Sequence, residues 1–131
     1  MKTQAAGQRG EEAARVYLEQ KGYRFLTANW RCKAGEIDLV MEAPPVKSPG
    51  GDHGAGTLVF VEVRSRRPTS FGAGYETVAW QKQRKLVRAG KWYMQQEKWR
   101  GDVRFDVVSI VDDGSSQPVI EQIEYAFDSS Y

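Results

Sequence analysis

Apolar and polar residues alternate along two central stretches of the chain, and this period of two predicts two strands. Successive side chains of a strand point to opposite faces. Residues 59–64 place a valine at every second position, so one face of that strand is wholly apolar. The other face of each strand is apolar at one end and ionic at the other, and the change falls at Asp38 and at Glu62. The earlier stretch, residues 35–41, has an apolar face formed by Ile37, Leu39 and Met41.

The remaining elements follow from the spacing of apolar residues and from the turn residues between them. Apolar positions three and four residues apart predict a helix over residues 3–22 and a second over residues 76–98. Alternating β-favouring residues predict three more strands, over residues 23–32, 102–111 and 118–127. This order predicts an α/β fold with a mixed five-stranded sheet flanked by two helices, because the second helix permits a parallel crossover.

A segment rich in proline and glycine, residues 43–57, separates the two central strands and is predicted to be a mobile loop. Its length lets the strands pair antiparallel. If Val40 lies opposite Phe60, then Asp38 lies opposite Glu62. Directly opposed carboxylates repel each other, and a hard divalent cation between them removes the repulsion. The pattern therefore favours a metal site at this end of the sheet.

A structural interpretation of the same charges stays open. Polar residues at strand ends often just face solvent, and Glu36 with Arg64 can form a plain cross-strand ion pair. Two helical residues favour an acidic site instead. Glu11 lies on the apolar stripe of the first helix, where an acid needs a partner unless it serves the helix dipole. Lys82 lies on the apolar seam of the second helix and must either reach past its edge or point at acid.

Length and composition indicate one domain that spans residues 1–131. No apolar run approaches the roughly 20 residues of a membrane span, and the first residues lack the apolar stretch of a signal peptide. Cys32 is the only cysteine, which excludes an intramolecular disulfide and favours a reducing cytoplasm. The only histidine, His53, receives no ligand role because nothing in a mobile loop would hold it in place.

The net charge of +2 hides a strongly basic middle of the chain. Residues 60–101 hold 10 basic and 3 acidic side chains, whereas residues 102–131 hold 1 basic and 7 acidic ones. A basic segment predicts a polyanion partner, nucleic acid above all, although a solvated helix facing the acidic C-terminal segment is the alternative. Trp80, Trp92 and Trp99 are interpreted as packing residues, with base stacking as the alternative. The candidate phosphate contacts are Arg66, Arg67, Arg84, Lys85 and Arg88.

Motifs spread from Gly7 to Val108 carry a resemblance to a known family. They run in order as Gly7-Gln8-Arg9-Gly10-Glu11, Asn29-Trp30-Arg31, Gly35-Glu36-Ile37-Asp38-Leu39-Val40, Val59-Phe60-Val61-Glu62-Val63-Arg64-Ser65-Arg66, Phe71-Gly72, Lys82 and Arg104-Phe105-Asp106-Val107-Val108. In these motifs the chain resembles the YraN-like uncharacterised protein family. That family in turn resembles the PD-(D/E)XK nuclease superfamily and, within it, the archaeal Holliday junction resolvases. The resemblance implies a restriction-endonuclease-like αβββαβ core.

The resemblance also implies roles for five residues. Asp38 and Glu62 match the metal-binding acids of the superfamily motif, and Glu11 matches the helix-one glutamate that completes the acidic site. The implied cofactor is Mg²⁺ or Mn²⁺. Arg64 occupies the position of the motif lysine; an arginine stays charged and cannot act as a general base, but it can orient a water or neutralise phosphate charge. By analogy with nucleases whose lysine has moved, Lys82 takes the lysine role from the second helix.

The function that the resemblance implies is a metal-dependent endonuclease that hydrolyses phosphodiester bonds in DNA, with branched DNA as a candidate substrate. Two other functions stay open. Arg64 favours a non-catalytic nucleic-acid-binding protein that kept the fold. The basic helix would also suit a protein-interaction module with an acidic partner. A homodimer is open as well, because junction-cutting relatives act as dimers.

Overall fold

The computed structural model describes residues 2–45, 56–66, 80–111 and 117–127. Most of the predicted loop, with His53, and also Arg67 and residues 76–79 lie outside these ranges. Neither helix within them is long and apolar enough to cross a membrane. The helices and strands follow the predicted order. They are α1 (Lys2–Gln20), β1 (Arg24–Cys32), β2 (Gly35–Glu42), β3 (Leu58–Arg66), α2 (Trp80–Glu97), β4 (Val103–Val111) and β5 (Val119–Ile123).

The five strands form one mixed sheet in the order β1-β2-β3-β4-β5. Strands β3 and β4 run parallel, and the other three neighbouring pairs are antiparallel. Val40 lies opposite Phe60, which is the predicted register of the two central strands. The predicted α/β fold, a mixed five-stranded sheet with two helices, is confirmed.

The two helices cover opposite faces of the sheet because neighbouring residues of each strand point to opposite sides. In β3, Val61 joins the buried cluster that contains Leu18 of α1, whereas Phe60 joins the cluster that contains Leu86 of α2. The Phe60 ring also packs against Phe105 of β4, with 5.1 Å between the ring centroids. These two cores hold the ends of β2 and β3 in place between the helices.

The alternation in β2 breaks at Asp38, which corrects the prediction that Ile37 and Leu39 share a face. Ile37 packs in the α2 cluster, whereas Leu39 packs in the α1 cluster. Asn29 of β1 lies between the residues opposite them and has a φ of 52°. A residue in the left-handed region turns the strand locally, and asparagine tolerates this conformation better than most residues. The irregular position therefore falls on the predicted metal ligand.

Strand β5 ends at Ile123, so the prediction that it continues to residue 127 is wrong. Tyr125 has a φ of 52°, and its N–H donates to Asp106 Oδ1 over 3.2 Å rather than to a neighbouring strand. The chain then turns back, and the Phe127 ring packs against Phe105 with 5.1 Å between centroids. The apolar residues that predicted a longer strand instead cover the end of the α2-side core.

Candidate active site

Asp38 lies where the backbone pairing between β2 and β3 ends. The last pair is Leu39 opposite Val61. Beyond this pair, the Val63 N–H donates to Asp38 Oδ2 over 2.9 Å. A side chain thus continues the contact between the strands. This bond ties the Asp38 carboxyl to β3 beside Glu62, and the two acids interact electrostatically. The predicted approach of Asp38 and Glu62 is therefore present.

Glu62 is buried on β3 and carries its own cation. Its side chain is 6 % exposed, and the Lys82 ammonium donates to Oε1 over 2.5 Å. Lys82 reaches this carboxylate from α2 with 51 % of its side chain exposed. A hydrogen bond between two ions is stronger than one between neutral groups. Lys82 thus points at the acidic strand face, as its position on the apolar seam predicted.

Glu11 approaches the same acids from α1. Gly10, the residue before it, packs against the end of β3, where a methyl group in place of its hydrogen would collide with the Ser65 hydroxyl. This close approach brings α1 down onto the strand that carries Glu62. The Asn29 side chain forms a hydrogen bond with the Glu11 carboxyl. Glu11 lines a cleft of about 330 Å³ together with Glu12, Arg15, Phe25, Ala28, Asn29 and Leu39.

Two acids near the end of the β2–β3 pairing, Asp38 and Glu11, have a raised pKa. Burial is the largest cause of the raised pKa of Asp38, which reaches about 7, and the charges of Glu62 and Glu11 add to it. The Val63 N–H and the Lys82 ammonium act in the opposite direction. Burial likewise raises the pKa of Glu11, and the charges of Glu36 and Glu62 add to it, partly offset by the hydrogen bond with Asn29. Four carboxyls and the Lys82 ammonium therefore share one region of electrostatic interaction.

The acids are close enough to interact but do not form a ready three-ligand cage. Within the part of the chain that the structure describes, no group of three or more histidine, cysteine, aspartate and glutamate side chains could hold a metal ion. The predicted ligand set of Asp38, Glu62 and Glu11 is therefore not gathered at coordinating distance. Asp38 and Glu62 remain the candidate pair, and Glu11 lines the neighbouring cleft.

Arg64 and Glu36 lie on the two strands just beyond the acidic pair. Glu36 forms an ion pair with Arg31 across the β1–β2 hairpin, with 3.5 Å between Nε and Oε2. One cross-strand partner of Glu36 is thus on β1, and the Glu36–Arg64 pair of our structural interpretation stays a prediction. Arg64 is half-buried and lies opposite Ser109 of β4, two residues beyond Glu62. Arg64 therefore projects from the same strand as the buried Glu62.

Comparison with known proteins places the chain in a family. The model of the uncharacterised protein family UPF0102 matches residues 10–110. The chain belongs to the UPF0102 family. A UPF0102 protein of Pelobacter propionicus is 40 % identical over 126 residues, which cover 95 % of this chain and 84 % of that protein. One of Ectopseudomonas mendocina is 42 % identical over 125 residues, 94 % of either chain. The YraN-like membership predicted from the motifs is confirmed.

The basic residues predicted to contact nucleic acid lie on α2 of this UPF0102 protein. We call the exposed side of this helix, formed by Lys85, Arg88, Lys91 and Trp92, the outer face of α2. Arg84 is half-buried beside it, with its guanidinium 4.8 Å from the centroid of the Trp80 ring. Arg66 ends β3, on the far side of Arg64 from the acids. The predicted contacts are therefore split between the outer face of α2 and the end of β3.

The three tryptophans near α2 differ in burial. Trp99 is half-buried, and its indole N–H donates to the Asp102 carbonyl over 3.0 Å, as expected of a packing residue. Trp80 and Trp92 are 57 % and 51 % exposed. The interpretation of these two tryptophans as packing residues is wrong. Both tryptophans are displaced from the apolar seam around the helix axis, and this was the signal that could have shown their exposure.

Asn29 is the site residue that sequence reasoning missed. It adopts a φ of 52° next to the break in β2, and its side chain holds the Glu11 carboxyl. It also lines the cleft beside that carboxyl. Its place in the Asn29-Trp30-Arg31 motif was a signal, because asparagine inside a strand is unfavourable without a special conformation to satisfy.

A second buried charge pair lies away from these acids, on β4. Asp106 is fully buried, and the Arg104 guanidinium donates to both of its carboxylate oxygens, Nε to Oδ1 and Nη2 to Oδ2, each over 2.8 Å. Gln122 of β5 donates to Oδ2 over 2.9 Å, and Arg104 donates to the Tyr23 hydroxyl over 2.6 Å. This internal ion pair joins β4, β5 and the residue that precedes β1.

Proposed function

We propose that this UPF0102 protein is a metal-dependent endonuclease that hydrolyses phosphodiester bonds in DNA. The observation that carries the proposal is the position of Asp38. Its carboxyl accepts the Val63 N–H where the β2–β3 ladder ends, beside the buried carboxylate of Glu62. Two acids held together where neighbouring strands separate, with a lysine ammonium against one of them, are the groups that metal-assisted phosphate chemistry needs.

The donor set suits Mg²⁺ or Mn²⁺. Both acids offer hard carboxylate oxygens, and the carbonyl of Val63 on the same strand offers a third. Mg²⁺ is usually held by one or two carboxylates and keeps several waters. A pair without a third acid at coordinating distance meets that requirement. The excess of negative charge around Asp38 is a further reason to expect a cation, because a divalent ion there would offset the repulsion between the acids.

In the proposed reaction Asp38 and Glu62 hold the metal, and the basic side chains act on the substrate. A bound Mg²⁺ or Mn²⁺ would polarise the phosphodiester and acidify a bound water. Lys82 has half its side chain in solvent and can turn from Glu62 to the negative charge that develops on the phosphoryl oxygens. Arg64 remains cationic, so it orients a water or neutralises phosphate without accepting a proton.

Glu11 and the cleft beside it form the α1 side of the proposed site. The raised pKa of Glu11 makes its carboxyl easier to protonate than an exposed glutamate. With the Asn29 hydrogen bond fixing its orientation, Glu11 can hold a water near the Asp38–Glu62 pair. We assign Glu11 a positioning role, because a carboxyl outside coordinating distance would act through water on the metal held by Asp38 and Glu62.

Calorimetric titration of Mg²⁺ and Mn²⁺ into the wild type and Asp38→Asn tests the proposal. We expect binding to the wild type and loss of binding in the variant, because asparagine keeps the shape but not the charge of the ligand. Asp38→Asn and Glu62→Gln should each abolish metal-dependent cleavage and leave DNA binding largely intact. Unchanged cleavage in both variants would remove the site assignment.

A non-catalytic DNA-binding protein is the second candidate, favoured by Arg64 at the position of the motif lysine. It predicts DNA binding without cleavage at any metal concentration. Binding through phosphates weakens steeply and log-linearly with salt, whichever sequence is offered. Salt-dependent binding with no cleavage of duplex, flap or junction would favour this candidate, and no binding at low salt would exclude both.

A further inference from the structure

The exposed tryptophans of α2 are unusual for a helix that already buries one side in the core. Trp80 is 57 % and Trp92 is 51 % exposed, whereas the core side of the helix buries Leu86, Val87 and Tyr93. A tryptophan left half in water gives up much of the free energy that its burial would provide. Two half-exposed tryptophans on one helix of 18 residues indicate a surface that binds a partner.

The charge around these tryptophans has one sign. From Trp80 to Gln96 the chain has five basic residues, Lys82, Arg84, Lys85, Arg88 and Lys91, and no acidic residue. The β1–β2 turn adds to this surface, because Gly35 lies against Lys85 and the exposed Lys33 belongs to the same turn. Glu36 is the nearest acid of that hairpin, and its charge is already paired with Arg31. The surface is thus complementary to a polyanion.

Helical geometry places a cation one turn from each tryptophan. Arg84 follows Trp80 by four residues, and Arg88 precedes Trp92 by four, and residues with this spacing are neighbours on a helix surface. The two indoles lie twelve residues apart, which is about 18 Å along the helix axis. Twelve residues also correspond to about 120° around the axis, so the two tryptophans lie at opposite edges of the exposed half of α2, with the cations between them.

We propose that the outer face of α2 and Trp80 bind a single-stranded segment of nucleic acid, with unpaired bases stacked on Trp92 and Trp80. Base stacking on aromatic side chains combined with a cationic track is how proteins bind single strands without reading sequence. The bases of an intact duplex are stacked on each other and offer no free faces to an indole. Lys85, Arg88 and Lys91 contact the phosphates of the same segment.

This inference rests on the proposed function and names its substrate class. Lys82, which contacts Glu62 at the acidic pair, belongs to the same helix as both tryptophans. A strand bound to α2 is therefore bound by the helix whose Lys82 contacts the acidic pair. The substrate that fits both surfaces is DNA with an unpaired segment next to the bond that is cut, such as a flap or a branched end.

Binding measured in EDTA, where cleavage cannot occur, tests the inference by fluorescence anisotropy. The ligands are a single-stranded oligonucleotide, a blunt duplex with the same number of phosphates, and a duplex with a single-stranded flap. For the wild type we expect tighter binding of the single strand and the flap than of the blunt duplex. Trp92→Leu should weaken single-strand binding about tenfold and leave duplex binding unchanged. Trp92→Tyr keeps an aromatic face and should restore most of the affinity.

The dependence on salt separates stacking from charge. Trp92→Leu should shift the plot of log affinity against log salt for the single strand without changing its slope. Arg88→Gln on the neighbouring turn should make that slope shallower by about 0.7, since each phosphate contact in single strands contributes that amount. Stacking should also quench tryptophan fluorescence on titration with the single strand, and Trp92→Leu should lose part of that quenching.

The two proposals fail in different ways. Equal affinity for single strand and duplex, or an equal loss for both ligands in Trp92→Leu, would overturn the stacking inference even if the wild type cuts DNA. If Trp92 instead serves a contact between proteins, Trp92→Leu weakens binding of both ligands equally or of neither, and it changes the mass of the assembly. Either outcome would overturn the stacking inference. Single-strand preference lost in Trp92→Leu, with no metal-dependent cleavage, would support the stacking inference and overturn the nuclease.

Discussion

Two acids of this protein, the fully buried Asp106 and the half-buried Asp38, have different surroundings, and the difference separates a structural charge from a chemical one. Asp106 accepts hydrogen bonds from both arms of the Arg104 guanidinium, from Gln122 and from the Tyr125 backbone. Its charge is matched by an adjacent cation. Asp38 accepts the Val63 N–H, and the charged groups that raise or lower its pKa include two acids and one ammonium.

Hydrogen bonding alone does not distinguish the two acids. Among the described residues, every buried side-chain nitrogen and oxygen has a hydrogen-bond partner. The difference is the adjacent cation. Asp106 is balanced by two hydrogen bonds from Arg104, which also lies 3.6 Å from the Glu124 carboxylate. Asp38 is not balanced in this way, because the ammonium that lowers its pKa donates to Glu62. Strongly shifted ionisable groups cluster at functional sites, so the unbalanced acid is the better candidate for chemistry and the balanced one for stability.

The largest expected effect comes from opening the balanced pair. Asp106→Asn keeps the size of the side chain but removes the hydrogen-bonded counter-charge of the buried Arg104 guanidinium and leaves it only the half-exposed Glu124 carboxylate at 3.6 Å. We expect a loss of about 3 to 5 kcal/mol in the free energy of unfolding. Glu62→Gln is the matched variant, because it frees a lysine that already has half its side chain in solvent, and it should cost less. Urea unfolding of both variants checks this, and a larger loss for Glu62→Gln would reverse the comparison.

The second effect is a pH dependence that belongs to Asp38. Its pKa is about 7 in the folded protein against 3.8 as a model value, so the folded state binds the proton more tightly. The protonated Asp38 therefore stabilises the fold fully below about pH 4, and this contribution is lost as the pH rises through about 7. In the absence of metal the free energy of unfolding should fall by about 2 to 4 kcal/mol over this range. Asp38→Asn should flatten this slope.

Unfolding measured from pH 4.5 to 8 in EDTA gives the comparison for Asp38. The exposed Glu121→Gln serves as the control, because it changes a carboxylate outside the acidic group. Glu11 contributes with the same sign, since its pKa is also raised. An Asp38→Asn variant that loses stability at pH 8 would show that the carboxylate is balanced after all.

A third, smaller effect concerns the ammonium against Glu62. If Lys82 occupies a position that a divalent cation would take, Lys82→Met should tighten Mg²⁺ or Mn²⁺ binding about tenfold, or about 1.4 kcal/mol. The same variant should lose cleavage, because the residue also acts on the phosphate. Lys91→Met, on the outer face of α2, controls for the loss of one positive charge. Weaker metal binding in Lys82→Met than in Lys91→Met would contradict the competition.

The smallest effect is expected at the edge of the acidic group. The Arg31–Glu36 pair has exposed fractions of 77 % and 38 %, and surface pairs of this kind contribute little. Arg31→Ala should change the free energy of unfolding by less than about 0.5 kcal/mol. Thermal or urea unfolding at two salt concentrations checks the value. A loss above about 1 kcal/mol would show that the Arg31–Glu36 pair of the hairpin interacts strongly with the acids around Asp38.

The register that brings Asp38 towards Glu62 could be predicted because pairing Val40 with Phe60 puts apolar side chains of both strands into one buried cluster. The direction of Lys82 followed in the same way from its place on an apolar seam. The turn after Ile123 could not be predicted. The Tyr125 N–H leaves strand geometry for a carboxylate on β4, and that contact exists only once the sheet has formed.

The change of face in β2 has a similar cause. Residues 35–41 alternate regularly, and nothing in that stretch marks a break. The break comes from Asn29 on the neighbouring strand, whose left-handed conformation separates the faces of Ile37 and Leu39. A pattern read along one strand cannot include a twist imposed by another.

The contact between Lys82 and Glu62 has a consequence for how this kind of site is recognised in other genomes. The two residues are 20 positions apart in the chain and 2.5 Å apart in space. A search that requires the acid and the lysine on one strand finds Glu62-Val63-Arg64 here and rejects it. A signature written as distances between an ammonium and two strand-borne carboxylates would retain it, together with any other chain whose helix supplies the cation.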